Sequence, residues 1–348
     1  MANIIVSIVS DQTLPNYLFI KEHSGKIDKY IFISTKAMEE NKKTKIICDT
    51  AGIDKKQRNK ILVEEDALYQ IKEKLNKLSL KPDDNYLINL TGGTKLMSIA
   101  VKEYFKKFEN TSYFYIPIGK NTYKQIYDDK KAVESDFNYQ ITVKEYLSIY
   151  GIEFEEQQIC FTEHQVFDVF NEVKVRYYDL GKFPKSKLKK FNIQGTKQTH
   201  TKWFEEYIYY KIKNSLNLKE DAIKTGIKLF DVNKNNGTDN KNNDNELDIF
   251  FIYKNNPYLV ETKFSVGKGK INSSNLNVYL YKLAAVNKRF GLKAKAIIMT
   301  LGQLNTNSDS VVENLKHRCK ILNINFPFFR NDIVDDVIFK EKLINFIN

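Results

Sequence analysis

Two stretches of the second half set charged groups into otherwise apolar, β-leaning runs: ELDIFFIY at 246–253 and YLVETKFS at 258–265. Alternate side chains of a strand leave the same face, so Glu261 and Lys263 point the same way. The connecting residues 254–257, KNNP, have a tight-turn composition. With Asn255 and Asn256 at the tip, Tyr253 faces Tyr258, Asp248 falls opposite Lys263, and Glu261 pairs with Phe250. Such a hairpin converges Asp248, Glu261 and Lys263 on one patch. Two carboxylates offer the hard oxygens that Mg²⁺ or Mn²⁺ takes, and the Thr262 carbonyl supplies a third. A lysine beside them can orient or help deprotonate an attacking water and offset charge on a pentavalent phosphate. A surface ion pair between strands fits the same spacing, which leaves both readings open.

A second constellation lies at 86–95, where YLINL runs straight into TGGTK and a helical pattern follows. Two glycines let backbone N–H groups approach a ligand closely, and a helix start adds a positive dipole end. Thr91 and Thr94 add hydroxyls and Lys95 a charge, so phosphate or a phosphodiester is the natural guest. The glycine spacing is neither that of a P-loop nor G-x-G-x-x-G. A plain strand-to-helix turn accounts for it equally well. The first apolar run, NIIVSIV, ends in a polar turn of its own, Ser10-Asp11-Gln12-Thr13.

The elements that must position these groups alternate between strand and helix from residue 3. Strands are expected at 3–9, 29–35, 45–48, 86–90 and 112–117, with a hairpin strand after a Gly-Lys-Asn turn. Helices are expected at 63–78, with Leu68, Ile71, Leu75 and Leu78 on one face, and at 95–108. This alternation predicts an α/β, doubly wound, mostly parallel sheet. Ligands then sit beyond the carboxyl ends of the strands, where the SDQT and TGGTK loops fall. Residues 141–200 give mixed signals, including a crowd of Lys182, Lys185, Lys187, Lys189 and Lys190 that suits either phosphate gripping or a solvated loop. A helix follows from Lys202, with Trp203, Tyr207, Ile208 and Ile212 as its apolar face. An asparagine-rich loop at 232–245 precedes the hairpin. Then come a helix at 278–290, a strand at 295–300 and a helix after Asp335. The expected divisions are 1–140, a connecting region 141–198, and 199–348.

The chain has 348 residues, enough for two cores, and its 55 Lys+Arg against 43 Asp+Glu give a net charge of +12. That field attracts polyanions, although a lysine-rich composition produces it too. Cys48, Cys160 and Cys319 suit neither a disulfide framework nor a zinc site, and buried reduced thiols are expected. There is no run of about 18 apolar residues and no signal peptide, so no membrane contact and a cytoplasmic location are expected. His23, His164, His200 and His317 lack metal-ligand spacing, and no G-x-S-x-G elbow occurs. Tyr209 and Tyr210 read as core residues rather than base-stacking ones.

With its SDQT turn, the strand–TGGTK–helix segment resembles a CARF domain, the sensor of ring oligoadenylates in type III CRISPR defence. The resemblance covers residues 1–140. It implies a Rossmann-like domain and a homodimer that builds one symmetric pocket from both copies. Ser10, Asp11, Gln12 and Thr13 would line that pocket beside Thr91, Gly92, Gly93, Thr94 and Lys95, with help from Asn89, just before the loop in sequence. Asp248 and Glu-x-Lys at 261–263 resemble the PD-(D/E)xK nuclease core, whose fold is restriction-endonuclease-like and α/β. That core carries an acid on the preceding helix. In Trp203-Phe204-Glu205-Glu206-Tyr207 the pattern selects Glu205, with Glu206 in reserve. The catalytic set implied is thus Glu205, Asp248, Glu261 and Lys263, with metal on Asp248, Glu261 and the Thr262 carbonyl. Two departures stand out: Leu247, not proline, precedes Asp248, and no glutamine lies near Tyr281-Lys282.

Together the two resemblances imply a homodimeric nuclease activated by cyclic tetra-adenylate. It would cut or nick DNA, and single-stranded RNA as well, with Mn²⁺ or Mg²⁺. The alternative from another class is a CARF sensor joined to a non-catalytic nucleic-acid-binding module. That reading has no use for Asp248, Glu261 and Lys263 on one face, and residues 201–300 do not read as a helix–turn–helix. The HEPN ribonuclease signature is missing. Cleavage of the activator by the CARF domain itself could accompany either reading.

Overall fold

The structure, a computed structural model, describes residues 1–176, 191, 199–230, 243–264, 270–271, 273–304 and 309–348. The chain divides into two compact units, Met1–Gly151 with Lys254–Asn256, and Ile152–Tyr253 with Pro257–Asn348. The expected connecting region contributes to both. The lysine cluster at 182–190 and most of the asparagine-rich tract lie outside the described residues.

The first unit runs β1 (Asn3–Ile8), α1 (Leu14–His23), β2 (Lys29–Ser34), α2 (Lys36–Glu40), α3 (Lys43–Ala51), β3 (Arg58–Leu62) and α4 (Leu68–Asn76). It continues with β4 (Asn85–Asn89), α5 (Lys95–Phe105), β5 (Thr111–Tyr115), β6 (Thr122–Ile126), β7 (Val133–Asp136) and α6 (Val143–Ile149). Its seven-stranded sheet has the order β3-β2-β1-β4-β5-β6-β7. The first five strands are parallel and the last two antiparallel. The order reverses between β1 and β4, so the loops leaving those two strands flank a topological switch point, where such sheets bind ligands. The central strands are buried on both faces and read as continuous apolar runs, Ile4, Ile5, Val6 and Ile8 among them.

One strand expectation fails in this unit. Lys45–Cys48 is not a strand but part of α3, which buries Ile47 and Cys48. A four-residue apolar run carries no periodicity to separate helix from strand. The third strand is instead the polar edge segment RNKIL, which buries only Ile61. Of the three thiols, Cys48 and Cys319 are buried as expected, whereas Cys160 is exposed.

The second unit contains β8 (Glu153–Glu156), α7 (Glu163–Arg176), α8 (Thr199–Leu216), β9 (Ile223–Phe230), β10 (Asn243–Tyr253) and β11 (Asn256–Lys263). It ends with β12 (Lys270–Ile271), α9 (Ser273–Asn287), β13 (Lys295–Thr300), β14 (Gln303–Leu304), α10 (Asp309–Leu322), α11 (Arg330–Val334) and α12 (Asp336–Ile347). Its five-stranded sheet has the order β13-β11-β10-β9-β8, with β13 parallel to β11. Trp203, Phe204, Tyr207, Ile208 and Ile212 of α8 pack with α7, α12 and the sheet residues Ile249, Phe251, Tyr258 and Val260. Tyr209 is buried, and the Tyr210 hydroxyl donates to the Phe161 carbonyl, so both serve packing. Among the described residues, no helix is long and apolar enough to cross a membrane.

Candidate functional site

The β10–β11 hairpin turns on two residues, Lys254 and Asn255, with φ of 48° and 59°. Paired positive φ values mark the tight hairpin turn whose twist matches the strands. This corrects the expected tip by one residue. Tyr258 stacks on Phe251 at 4.9 Å rather than facing Tyr253. Counting from the turn sets Asp248 opposite Glu261, not opposite Lys263. Convergence survives the shift, because a directly opposed pair shares a face.

Lys263 Nζ donates to Glu261 Oε1 at 2.5 Å and to the Thr262 carbonyl at 3.0 Å, and lies 3.9 Å from Asp248 Oδ2. Asp248 Oδ2 accepts from the Thr262 N–H at 2.6 Å and from its hydroxyl at 2.9 Å. Burial and the neighbouring Asp248 push the Glu261 carboxyl above the usual range. Burial works against the Lys263 charge, but Asp248 and Glu261 outweigh it and hold the ammonium above the ordinary lysine value.

Glu205 joins this cluster through an intermediary. The Thr225 hydroxyl, on β9, lies 2.7 Å from Glu205 Oε1 and 2.8 Å from the Asp248 carbonyl oxygen. Burial, then the charge of Asp248, pushes the Glu205 carboxyl up to about 7. Glu206 has a different task. Fully buried, it accepts the N–H groups of Cys160 and Phe161, both at 2.8 Å, and so ties down the segment before α7. It is an anchor, not a reserve acid.

The residues present fit a divalent cation in one respect. Asp248, Glu261 and the Thr262 carbonyl all face a single cationic centre, which the Lys263 ammonium fills. Among the described residues, no three His, Cys, Asp or Glu side chains stand close enough to share an ion; the Thr262 carbonyl adds a backbone oxygen beside the two carboxylates. Spacing missed Thr225 and Gly226. Gly226 stands between Thr225, paired with Ile249, and Ile227, paired with Leu247, and so faces Asp248 across the strands. Its φ of +62° needs glycine.

In the first unit the switch-point loops enclose a cavity of ≈ 360 Å³. Ser10, Asp11, Gln12, Thr91, Gly92, Gly93 and Thr94 line it, together with residues that spacing did not single out, among them Asn16, Met38 and Glu65. Three expected residues stand behind or beside it. Thr13 is buried and donates to the Ile149 carbonyl at 2.7 Å. Asn89 is buried, accepts the Thr91 N–H at 3.0 Å and donates to Asn16 Oδ1 at 2.9 Å, which shapes the loop from below. Lys95 is exposed at the first position of α5. The glycines are demanded by local packing as well. A Cβ at Gly92 would lie 1.9 Å from the Ile8 carbonyl oxygen, and one at Gly93 2.4 Å from Ile8 Cγ2.

Residues 4–146 match the Card1 CARF domain family. No curated protein matches the chain. Among solved structures, protein VC1899 from Vibrio cholerae aligns with a TM-score of 0.74 at 13% identity, over 99% of this chain and 98% of its own. Can2 from Sulfobacillus thermosulfidooxidans, in complex with cyclic tetra-adenylate, aligns with a TM-score of 0.69 at 19% identity, over 99% and 97%. A type III CRISPR defence DNA nuclease activated by cyclic oligoadenylate aligns with a TM-score of 0.62 at 15% identity, over 86% of this chain and 45% of that one. The first unit of the chain is thus a CARF domain of the Card1 type, and the chain as a whole shares the fold of Can2.

Proposed function

We infer that the chain is a nuclease held idle until a cyclic oligoadenylate, cyclic tetra-adenylate in the first instance, binds its CARF domain. The substrate class is DNA, with single-stranded RNA as a second substrate, and the working unit is a homodimer. The observation that carries the chemistry is the Lys263 ammonium enclosed by Asp248, Glu261 and the Thr262 carbonyl, a ring of oxygen donors set into apolar strands. A purely structural ion pair has no need of a second carboxylate raised above its ordinary value by burial and by the first. Two structural neighbours, one bound to cyclic tetra-adenylate and one a DNA nuclease activated by cyclic oligoadenylate, support the same reading.

Asp248, Glu261 and the Thr262 carbonyl would hold Mg²⁺ or Mn²⁺, which supplies polarisation of a phosphodiester and of the water attacking it. Lys263 brings a proton-bearing Nζ to the same place, as donor to a phosphate oxygen or to the incoming water. Asp248 is oriented by two bonds from Thr262. Glu205, held by Thr225, adds negative charge beside Asp248. In the CARF domain, backbone amides of the Thr91–Thr94 loop and the side chains of Ser10 and Gln12 offer donors to the phosphates of a ring nucleotide.

The test incubates purified full-length protein and Mn²⁺ with supercoiled DNA and with single-stranded RNA, with and without cyclic tetra-adenylate. Glu261→Ala and Lys263→Ala run beside it. Cleavage that needs the ring and is lost in both variants is expected. Ring binding without cleavage of either nucleic acid would favour a non-catalytic, nucleic-acid-binding regulator.

A further inference from the structure

We propose that Lys202 is a positioning residue of the nuclease site: a built-in cation on the flank of Glu205 that leaves each chain room for one divalent ion rather than two. The inference rests on the nuclease reading above.

Lys202 sits one turn before Glu205 on α8. Its Nζ lies 2.6 Å from Glu205 Oε1 and 3.3 Å from Gln157 Oε1. Both side chains of the pair are only 12% exposed, so this is not a loose surface contact. Gln157 is fixed at its other end by donating Nε2 to Glu246 Oε1 at 2.8 Å, and its backbone N–H donates to the Gly226 carbonyl. Thr225 meets the same Oε1 of Glu205 that Lys202 does.

The ammonium also packs directly over a position that has no side chain. A Cβ at Gly226 would come within 2.7 Å of Lys202 Nζ and 3.0 Å of Gln157 Oε1. The residue that faces Asp248 across the strands is therefore the one whose missing side chain admits the Lys202 ammonium. Residues of α8, β9, β10 and the segment after β8 combine to hold one ammonium against one carboxylate. Conventional helix-surface pairs need no such construction.

Charge accounts for the consequence. With all five groups counted as ionised, Glu205, Asp248 and Glu261 contribute three negative charges at most, and Lys202 and Lys263 two positive ones. One divalent ion turns the remaining single negative charge into a single positive one. A second would leave a strong excess of positive charge in a buried place, where it is least tolerated. With its Oε1 engaged by Lys202 and Thr225, Glu205 is an orienting anion for the site rather than half of a second metal seat.

The test is a Mn²⁺ titration of metal-stripped full-length protein, with free Mn²⁺ read by electron paramagnetic resonance. Wild type should take up one ion per chain. Lys202→Met, and Lys202→Gln should the first variant fold poorly, should take up a second, weaker ion that Lys202→Met/Glu205→Gln loses again. Two ions on wild type, or one on both folded Lys202 variants, overturns the proposal. No Mn²⁺ on wild type, together with no cleavage, would remove the nuclease reading itself.

Discussion

Lys263 Nζ lies 2.5 Å from Glu261 Oε1, two positions back on the same strand, so the ammonium fills the centre that a divalent ion would share with Asp248 and the Thr262 carbonyl. A bound ion and the ammonium would compete for the same oxygens. Removing the side chain should therefore help binding and harm chemistry. Lys263→Met is expected to bind Mn²⁺ several-fold more tightly than wild type while losing roughly 100-fold or more in cleavage rate, the loss typical of an electrostatic donor. Calorimetric titration and a cleavage assay on the same preparation check it. Weaker binding by the variant would mean that Lys263 assists the metal instead of excluding it.

The acids of the site tie stability to pH. Burial and Asp248 push Glu205 up to about 7, against an ordinary value of 4.5. The folded chain then holds this proton more tightly than the unfolded chain does. The associated stability is fully present below pH 4.5 and is lost as pH rises towards 7. Metal-free wild type should accordingly lose more in Tm between pH 5 and pH 7.5 than Glu205→Gln does, since glutamine does not titrate. Parallel Tm curves across that window would show that Glu205 ionises like an exposed acid.

Gly92 separates packing from recognition in the CARF domain. Its ideal Cβ would stand 1.9 Å from the Ile8 carbonyl oxygen, a backbone atom that cannot swing away. Gly92→Ala should destabilise the protein by roughly 3 kcal/mol or more, at the upper end of overpacking, as chemical denaturation would show. Lys95→Ala, at an exposed position, should leave stability unchanged and weaken cyclic tetra-adenylate binding. Equal stability of Gly92→Ala and wild type would mean that the β1–β4 contact can open by more than an ångström.

Much of this arrangement was legible in the residues. The buried parallel strands announce themselves as apolar runs, and the two polar turns that follow β1 and β4 meet at the switch point as expected. Edge strands were not legible. RNKIL and EFEE bury too little for any pattern to show, and β8 belongs to a sheet whose other strands come much later in the chain. The hairpin register went astray by one residue at the turn because Lys254 adopts a left-handed φ that lysine rarely takes, leaving Asn255-Asn256 as the more obvious tip. Thr225, Lys202 and Gln157 belong to no motif, since they reach the site from separate elements. Gly226 did leave a signal: a glycine inside IKTGIKLF marks a place where something approaches the backbone closely.

The proposed homodimer would need an apolar face, and the first unit exposes apolar side chains beside its ligand cavity. On α5 the buried face is Met97, Ala100, Val101, Tyr104 and Phe105, yet Leu96 and Ile99 point outward at 39% and 53% exposure. Tyr115, at the carboxyl end of β5, and Ile118, which lines the cavity, are also exposed. Apolar side chains beside a ligand cavity suit a second copy that closes over the ligand. Ile99→Asp sets a charge into that face without touching the core of α5. The variant should keep its Tm but elute as a monomer, with mass checked by light scattering. If only the dimer presents the complete pocket, the variant should also bind cyclic tetra-adenylate roughly tenfold or more weakly, because the binding-competent state is then scarcely populated. An Ile99→Asp protein that stays dimeric and binds the ring normally would place the dimer contact on another face of the domain.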